Sequence, residues 1–177
     1  MSRRDEVLEA ALELLDEVGL DALTTRRLAE RLGVRPSALY RHFASKRLLL
    51  DAMVEHIAAR GAAPAAPHGD WTAQIHSAAG NMREAMLAYR DGARLMATFV
   101  EPGPAAQASW NWFTGVARSA GASRELAELA VDTLTSYVQG FTIEEQARKS
   151  GVPRARRDKE FRAGLDLIIT GIKASFS

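Results

Sequence analysis

Apolar residues return at intervals of three and four along most of the chain, the period of a helix with one buried face. Leu8, Ala11, Leu12, Leu15 and Val18 make the first such stripe, and Leu28, Ala29 and Leu32 make a second, shorter one. Leu39 and Phe43 lie four apart on a third element, and Leu49, Ala52, Met53, His56 and Ile57 mark a fourth over residues 46–59. Residues 61–69, with two prolines and two glycines, then read as a loop. Asp70 follows as the N-cap of a long helix bearing Trp71, Ile75, Ala78, Ala79, Met82, Ala85, Met86 and Tyr89. Residues 101–104 break the pattern again, and helices are expected over about 106–120, 123–148 and 158–175, with Ser123 and Asp158 as caps. Strand alternation is weak throughout, so the expected fold is all-α.

Residues 23–50, LTTRRLAERLGVRPSALYRHFASKRLLL, carry the sharpest local signals. Thr24 and Thr25 offer oxygens to the free N–H groups of a helix start, and Gly33 suits the left-handed position past its end. Val34 covers that turn. Pro36 fits a first helical position and holds Arg35 extended. A second helix over residues 36–43 would bury Leu39 and Phe43 and leave Arg35, Ser37, Ala38, Arg41 and His42 on or near its other side. Such a pair is a helix-turn-helix, whose second helix presents its first turns to the major groove of DNA.

Charge strengthens this reading. The net charge is only +1, yet residues 25–47 hold seven bases (Arg26, Arg27, Arg31, Arg35, Arg41, Lys46 and Arg47) against one acid, Glu30. A basic run is by itself usually a solvated face, but this one sits on a helix pair with turn chemistry in place. Residues 1–24 have the opposite sign, with seven acids against Arg3 and Arg4. An acidic helix does not lie against DNA, so the first helix is expected to be scaffold, with Arg3 and Arg4 at its start as further candidate phosphate contacts.

The order TTRRLAERLGV, then LYRHF, then SKRLLLDAM resembles the TetR family of bacterial transcriptional regulators, over at least residues 3–57. The resemblance implies that Thr25 and Arg26 start the helix braced against the DNA backbone. It implies further that Arg35, Pro36, Ser37, Ala38, Tyr40, Arg41 and His42 face DNA, and that Lys46 holds a phosphate. The side chains suit those roles: an Arg35 or Arg41 fork pairs with guanine O6 and N7, while Thr25, Tyr40 and Lys46 fit phosphate contacts. With the junction read from composition, the expected domains are a helix-turn-helix over 1–47, a connecting helix over 48–60 and a helical ligand-binding and dimerisation domain over 61–177.

Three later stretches, Tyr89-Arg-Asp-Gly-Ala-Arg-Leu-Met96, Gly140-Phe-Thr-Ile-Glu-Glu-Gln146 and Gly164-Leu-Asp-Leu-Ile-Ile-Thr-Gly-Ile172, are similar to the ligand-binding domain of the tetracycline-repressor subgroup. There a histidine and a glutamate help to bind a magnesium–tetracycline chelate. Met96 stands at the position matching the histidine, and Glu144 at that of the glutamate. A thioether is a soft ligand of little use to magnesium, so that chelate is not expected as the effector, and neither a metal site nor a cofactor is expected. Glu144 is then either a contact to a ligand amine or hydroxyl, or a surface carboxylate.

Large apolar side chains of the C-terminal part, among them Met82, Met86, Met96, Phe99, Trp112, Phe113 and Phe141, serve either as core or as the lining of a site for an apolar or aromatic small molecule. Trp110 and Trp112 are two apart and cannot share one helix face. The last two long helices read either as ordinary core or as a homodimer surface, where Gly140, Gly164 and Gly171 allow close approach. Binding to paired half-sites favours the dimer. Basic residues at 154, 156, 157, 159 and 162 form a second cluster, readable as a solvated loop or a DNA contact.

Other classes find little support. The chain has no cysteine and no apolar run of the roughly 20 residues that span a bilayer, and its acidic N-terminus is unlike a signal peptide, so a cytoplasmic protein without a membrane partner is expected. Its four histidines, His42, His56, His68 and His76, are scattered, and there is no Gly-rich phosphate loop or His-Glu-x-x-His pair, so no enzyme is expected. The expected protein is a repressor that leaves its operator DNA when a small molecule binds. The alternatives are a DNA-binding regulator without an inducer and, more remotely, a helical enzyme.

Overall fold

The computed structural model describes residues 2–62, 70–148 and 151–175. Among them every regular element is an α-helix: α1 Arg3–Val18, α2 Thr25–Arg31, α3 Pro36–Leu39, α4 Lys46–Arg60, α5 Trp71–Leu87, α6 Gly92–Met96, α7 Pro104–Ser119, α8 Arg124–Ala147 and α9 Arg154–Ala174. The fold is all-α. No helix of the described residues is long and apolar enough to cross a membrane.

Short-range chemistry sets the first helices. Ser2 Oγ accepts the Asp5 N–H at 3.2 Å while the Asp5 carboxylate accepts the Ser2 N–H at 2.8 Å, a reciprocal cap that opens α1. Thr24 caps α2 by accepting the Arg27 N–H at 3.2 Å. At the other end Gly33 adopts φ +64°, and the N–H groups of Gly33 and Val34 reach back to the carbonyls of Glu30 and Ala29 at 3.2 and 3.0 Å. The chain is thereby reversed within a few residues. Arg35 is extended and Pro36 begins α3. That helix is shorter than the expected 36–43: after Leu39 the N–H groups of Arg41 and His42 bond three residues back, to Ala38 and Leu39, and the tightened turn drops Phe43 into the core.

One continuous core joins these helices to the rest, from Val7 and Leu15 through Leu28 and Met53 to Leu134 and Leu165. α4 is its central strut. It buries Leu49, Met53, Val54 and Ile57 and packs on α1, α5, α6 and α7.

Asp70 is the N-cap of α5, as the sequence led one to expect, and its carboxylate accepts the Thr72 hydroxyl. One helix start and one whole element depart from the sequence reading. α9 begins at Arg154 after Pro153, ahead of the expected cap Asp158, whose carboxylate is drawn instead to Arg83 at 2.7 Å. The short α6 has no sequence forecast. It opens on Asp91 in a left-handed conformation, φ 57°, fixed by contacts distant in sequence. Most of the expected 61–69 loop, His68 included, and Phe176 lie outside the described residues.

Among the described residues Arg83 is the one buried charged side chain, at 4% exposure, and it ties α5, α8 and α9 together. Its guanidinium takes both Glu145 oxygens at 2.7 and 2.8 Å and Asp158 at 2.7 Å, and lies 5.0 Å from the centre of the Phe161 ring. Burial pulls its pKa down, but the bonds and charges of Glu145 and Asp158 outweigh that and leave it raised. Three of the five bases in the second cluster also pair within the chain: Arg154 with Glu84, and Arg156 and Arg157 with Glu160 at 3.0 and 3.1 Å.

Candidate nucleic-acid interface and apolar cavity

α2, α3 and the start of α4 carry one run of polar surface. Arg26, Arg35, Pro36, Ser37, Tyr40, Arg41 and Lys46 are exposed, with Thr25, Ala38 and His42 half-buried among them. Ser45 caps α4 by accepting the Leu48 N–H at 3.2 Å, which puts Lys46 in the first turn of that helix. Among the described residues Arg26 pairs with Glu30 at 3.0 Å and Arg47 with Asp51 at 3.5 Å, whereas Arg35, Arg41 and Lys46 keep their charges unpaired.

The seven-base cluster therefore divides. Arg31 turns away from this surface and grips Glu17 and Glu13 of α1 at 2.7 and 2.9 Å. Arg27 donates to the Ala22 carbonyl at 3.3 Å. Arg4 lies over the Phe43 ring, 4.7 Å from its centre, and Arg3 pairs with Glu6, so both are engaged within the chain. The acids of α1 and its following turn have partners beyond the helix pair. Asp16 accepts the Arg90 N–H at 2.6 Å, and Asp21 takes Arg94 through two bonds of 2.9 and 3.1 Å. α1 is scaffold, but scaffold clasped to the α5–α6 turn.

A cavity of about 390 Å³ opens between α4, α5, α6, α7 and α8. It brings together Met82, Met96, Phe99 and Phe113 of the expected ligand set and adds Trp110, with Asp132, Thr135 and Gln139 on the α8 wall. The other four of that set are elsewhere. Met86 is fully packed at 1% exposure, Phe141 stands against Tyr137 and Phe161 at 5.8 and 5.4 Å, and Glu144 pairs with Arg148. Trp112 faces a separate groove beside Asp70 and Val116, so the two neighbouring tryptophans do look different ways. Sequence reasoning missed Asp132 and Gln139, because a polar residue on a helix carries no local sign that it borders a cavity. No three His, Cys, Asp or Glu side chains gather as a metal site among the described residues.

Two contacts connect the cavity wall to α4. Ala58 of α4 lines it directly. Three residues earlier, Glu55 Oε1 accepts the Ala105 N–H at 2.7 Å and so caps α7, whose first turn contributes Ala106 and Gln107 to the lining. Helix α4 thus has Lys46 at the polar surface and Ala58 at the cavity, about 18 Å apart along one rigid element.

An exposed basic helix-turn-helix standing on a helical body with an apolar cavity defines a DNA-binding regulator of transcription. Residues 7–53 match the family of bacterial regulatory proteins called tetR, and residues 63–157 match the tetracyclin repressor-like C-terminal domain. The tetracycline repressor protein class A from transposon 1721 of Escherichia coli is 43% identical over 146 residues, covering 81% of this chain and 67% of that protein. A TetR variant of Acinetobacter baumannii AYE in complex with minocycline superposes with a TM-score of 0.87 at 36% identity, covering 100% of this chain and 99% of the other. BioQ with its natural double-stranded DNA operator gives 0.84 at 36% identity, covering 98% and 99%. The chain belongs to the TetR family.

Proposed function

We propose that the chain is a homodimeric, ligand-responsive repressor that leaves its operator when a small molecule fills the α4–α8 cavity. The observation that carries this is the path of α4, one helix with Lys46 at the reading surface and Ala58 in the cavity wall. A ligand that moves the wall moves the reading head. Residues 1–47 are that head, 48–60 the connecting helix and 61–177 the ligand-binding and dimerisation part. Arg35 and Arg41 read base edges from α3 with Pro36, Ser37, Ala38 and His42 around them, while Thr25, Arg26, Tyr40 and Lys46 hold the backbone. The effector is an apolar or aromatic molecule resting on Met82, Met96, Phe99 and Phe113. The minocycline complex and the operator complex of the two similar proteins support both halves of this reading. The protein acts by binding, without catalysis, in the cytoplasm where its DNA lies.

The dimer forms through α8 and α9. Leu129, Thr133, Ser136 and Gly140 on α8, with Ala163, Leu167 and Gly171 on α9, recur at three- and four-residue spacing and are exposed. A Cβ added at Gly140 or Gly171 meets nothing within 4 Å, whereas one at Gly164 would strike Tyr137 of the same chain. Gly140 and Gly171 are therefore the two left for a second copy to approach.

Duplexes selected from a random pool test the proposal by fluorescence anisotropy, with thermal-shift screening for ligands. The expected outcome is a near-palindromic site and a ligand that both raises the melting temperature and releases the DNA. Coupling of about 1–3 kcal/mol is enough, and DNA must weaken ligand binding by the same factor. A cavity ligand that leaves DNA affinity unchanged reduces the protein to a DNA-binding regulator without an inducer.

A further inference from the structure

Resting on the reading of the α4–α8 cavity as the effector site, we propose that the effector is a cation, an aromatic or otherwise apolar body carrying a positively charged nitrogen, and that Asp132 selects it. Among the described residues Asp132 is the one ionisable side chain in the lining, whose other polar members, Gln107, Ser109, Thr135 and Gln139, are amides and hydroxyls. Among the described residues no Lys, Arg or His borders the space to balance it. The Thr135 hydroxyl gives it no help, since it donates to the Val131 and Asp132 carbonyls at 2.8 and 3.3 Å. Trp110 Nε1 stands 3.4 Å from Asp132 Oδ1, a long contact that leaves most of the carboxylate's charge available.

That same contact turns the N–H edge of the indole toward the acid, and Phe99 and Phe113 contribute further aromatic rings to the lining. A carboxylate attracts a cation by its charge, and an aromatic face attracts it by its quadrupole, so the two act in the same sense. Both repel an anion. A neutral ligand gains only the burial of its apolar body against Met82, Met96 and the aromatic rings, and an anionic one would place its charge against Asp132 with nothing in the lining to offset it. The wall therefore ranks ligands of one shape by charge, cation before neutral before anion.

Three naphthyl probes test this by isothermal titration of the full chain at neutral pH: naphthylmethylammonium, naphthalenemethanol and naphthoate. The ammonium is expected to bind about tenfold tighter than the alcohol, the sum of a partly exposed charge pair and a cation–π contact, with naphthoate weakest. Asp132→Asn should bring the ammonium down to the level of the alcohol. Asp132 sits on the exposed side of α8, so this exchange leaves the core intact, and circular dichroism checks that it does. If the alcohol binds and the ammonium gains nothing over it, or if the gap survives in Asp132→Asn, the charge assignment is overturned while the cavity reading stands. If none of the three binds, the cavity reading falls and takes this proposal with it.

Discussion

The carboxylate of Asp91 accepts the backbone N–H of Leu20 at 2.9 Å, fastening the α1–α2 corner to the α5–α6 turn across 71 residues of chain. Arg90 doubles the link by donating from its guanidinium to the Glu17 carbonyl at 2.8 Å. The approach is close enough to require glycine at position 19, which takes φ +78° and where a Cβ would lie 2.8 Å from Asp91 Oδ2. Asp91→Ala removes an ionised acceptor and places alanine in a left-handed conformation, so a loss of about 1–3 kcal/mol in urea unfolding is expected. Asp91→Asn keeps an acceptor and tolerates that conformation, and should lose less than half as much. Equal losses would mean that Asp91 acts through its charge alone.

The neighbouring pair supplies a pH signature. Hydrogen bonding to Arg94, and then its charge, hold the Asp21 carboxyl below its ordinary value of 3.8. A carboxyl whose pKa is depressed by folding contributes stability above its unfolded pKa and loses it as pH falls through the folded one. Wild type should therefore exceed Asp21→Asn in urea midpoint at neutral pH, and the gap should close in strongly acid buffer, below the ordinary carboxylate range. A gap that is constant from neutral to strongly acid pH would remove Asp21 from the clasp.

Arg83 is expected to be the costliest single charge to delete. Glu145 has only 13% of its side chain exposed, and Arg83→Met leaves that carboxylate buried without its two bonds. Breaking one side of a buried pair typically costs about 3–5 kcal/mol, and most of this is the stranded partner. The double variant Arg83→Met with Glu145→Gln should then recover part of the loss. Chemical denaturation of the two variants separates the contributions, and a cost under about 1 kcal/mol for Arg83→Met would show the network to be solvated.

These long-range pairs mark the boundary of what was legible in the sequence. The helix-turn-helix was legible because Thr24, Gly33 and Pro36 each act within a few residues of themselves, and the all-α fold because burial imposes its period locally. The partners of a charge are not local. The acids of α1 and its turn could be read as a face kept from DNA, but Arg31, Arg90 and Arg94 meet them from 14 to 74 residues away. For the same reason Asp158 looked like a cap, although Arg83 claims it from 75 residues distant. The cavity was half legible: hydrophobic bulk pointed to Met82, Met96, Phe99 and Phe113, whereas the same criterion swept in Met86 and Phe141, which the core uses.

On the reading surface, Arg41 and Lys46 separate two kinds of contact. If Arg41 forks onto a guanine edge, Arg41→Ala should cost about 1–3 kcal/mol on the selected site and much less on random duplex, relaxing the preference at one base position. Lys46→Ala should weaken both duplexes alike and lower the slope of log affinity against log salt by about one unit. Equal loss on both duplexes for Arg41→Ala would demote it to a phosphate contact.

Leu167 tests the dimer and, through it, the way the protein reads DNA. Among the described residues it is the most exposed of the large apolar side chains, at 76%, on a face whose neighbours Ala163 and Gly171 are too small to hold a partner apart. In a two-fold interface the same patch is used by both copies, so Leu167→Glu carries two unpaired carboxylates into an apolar seam and opposes association, while a side chain already in water costs the monomer fold little. Sedimentation should shift from dimer to monomer with the helical circular dichroism unchanged. Operator affinity should fall with it, because each recognition surface then gains only one half-site, and the salt slope should drop to roughly half as the number of phosphate contacts is halved. A monomeric Leu167→Glu variant that binds the full site undiminished would separate DNA reading from the α8–α9 surface.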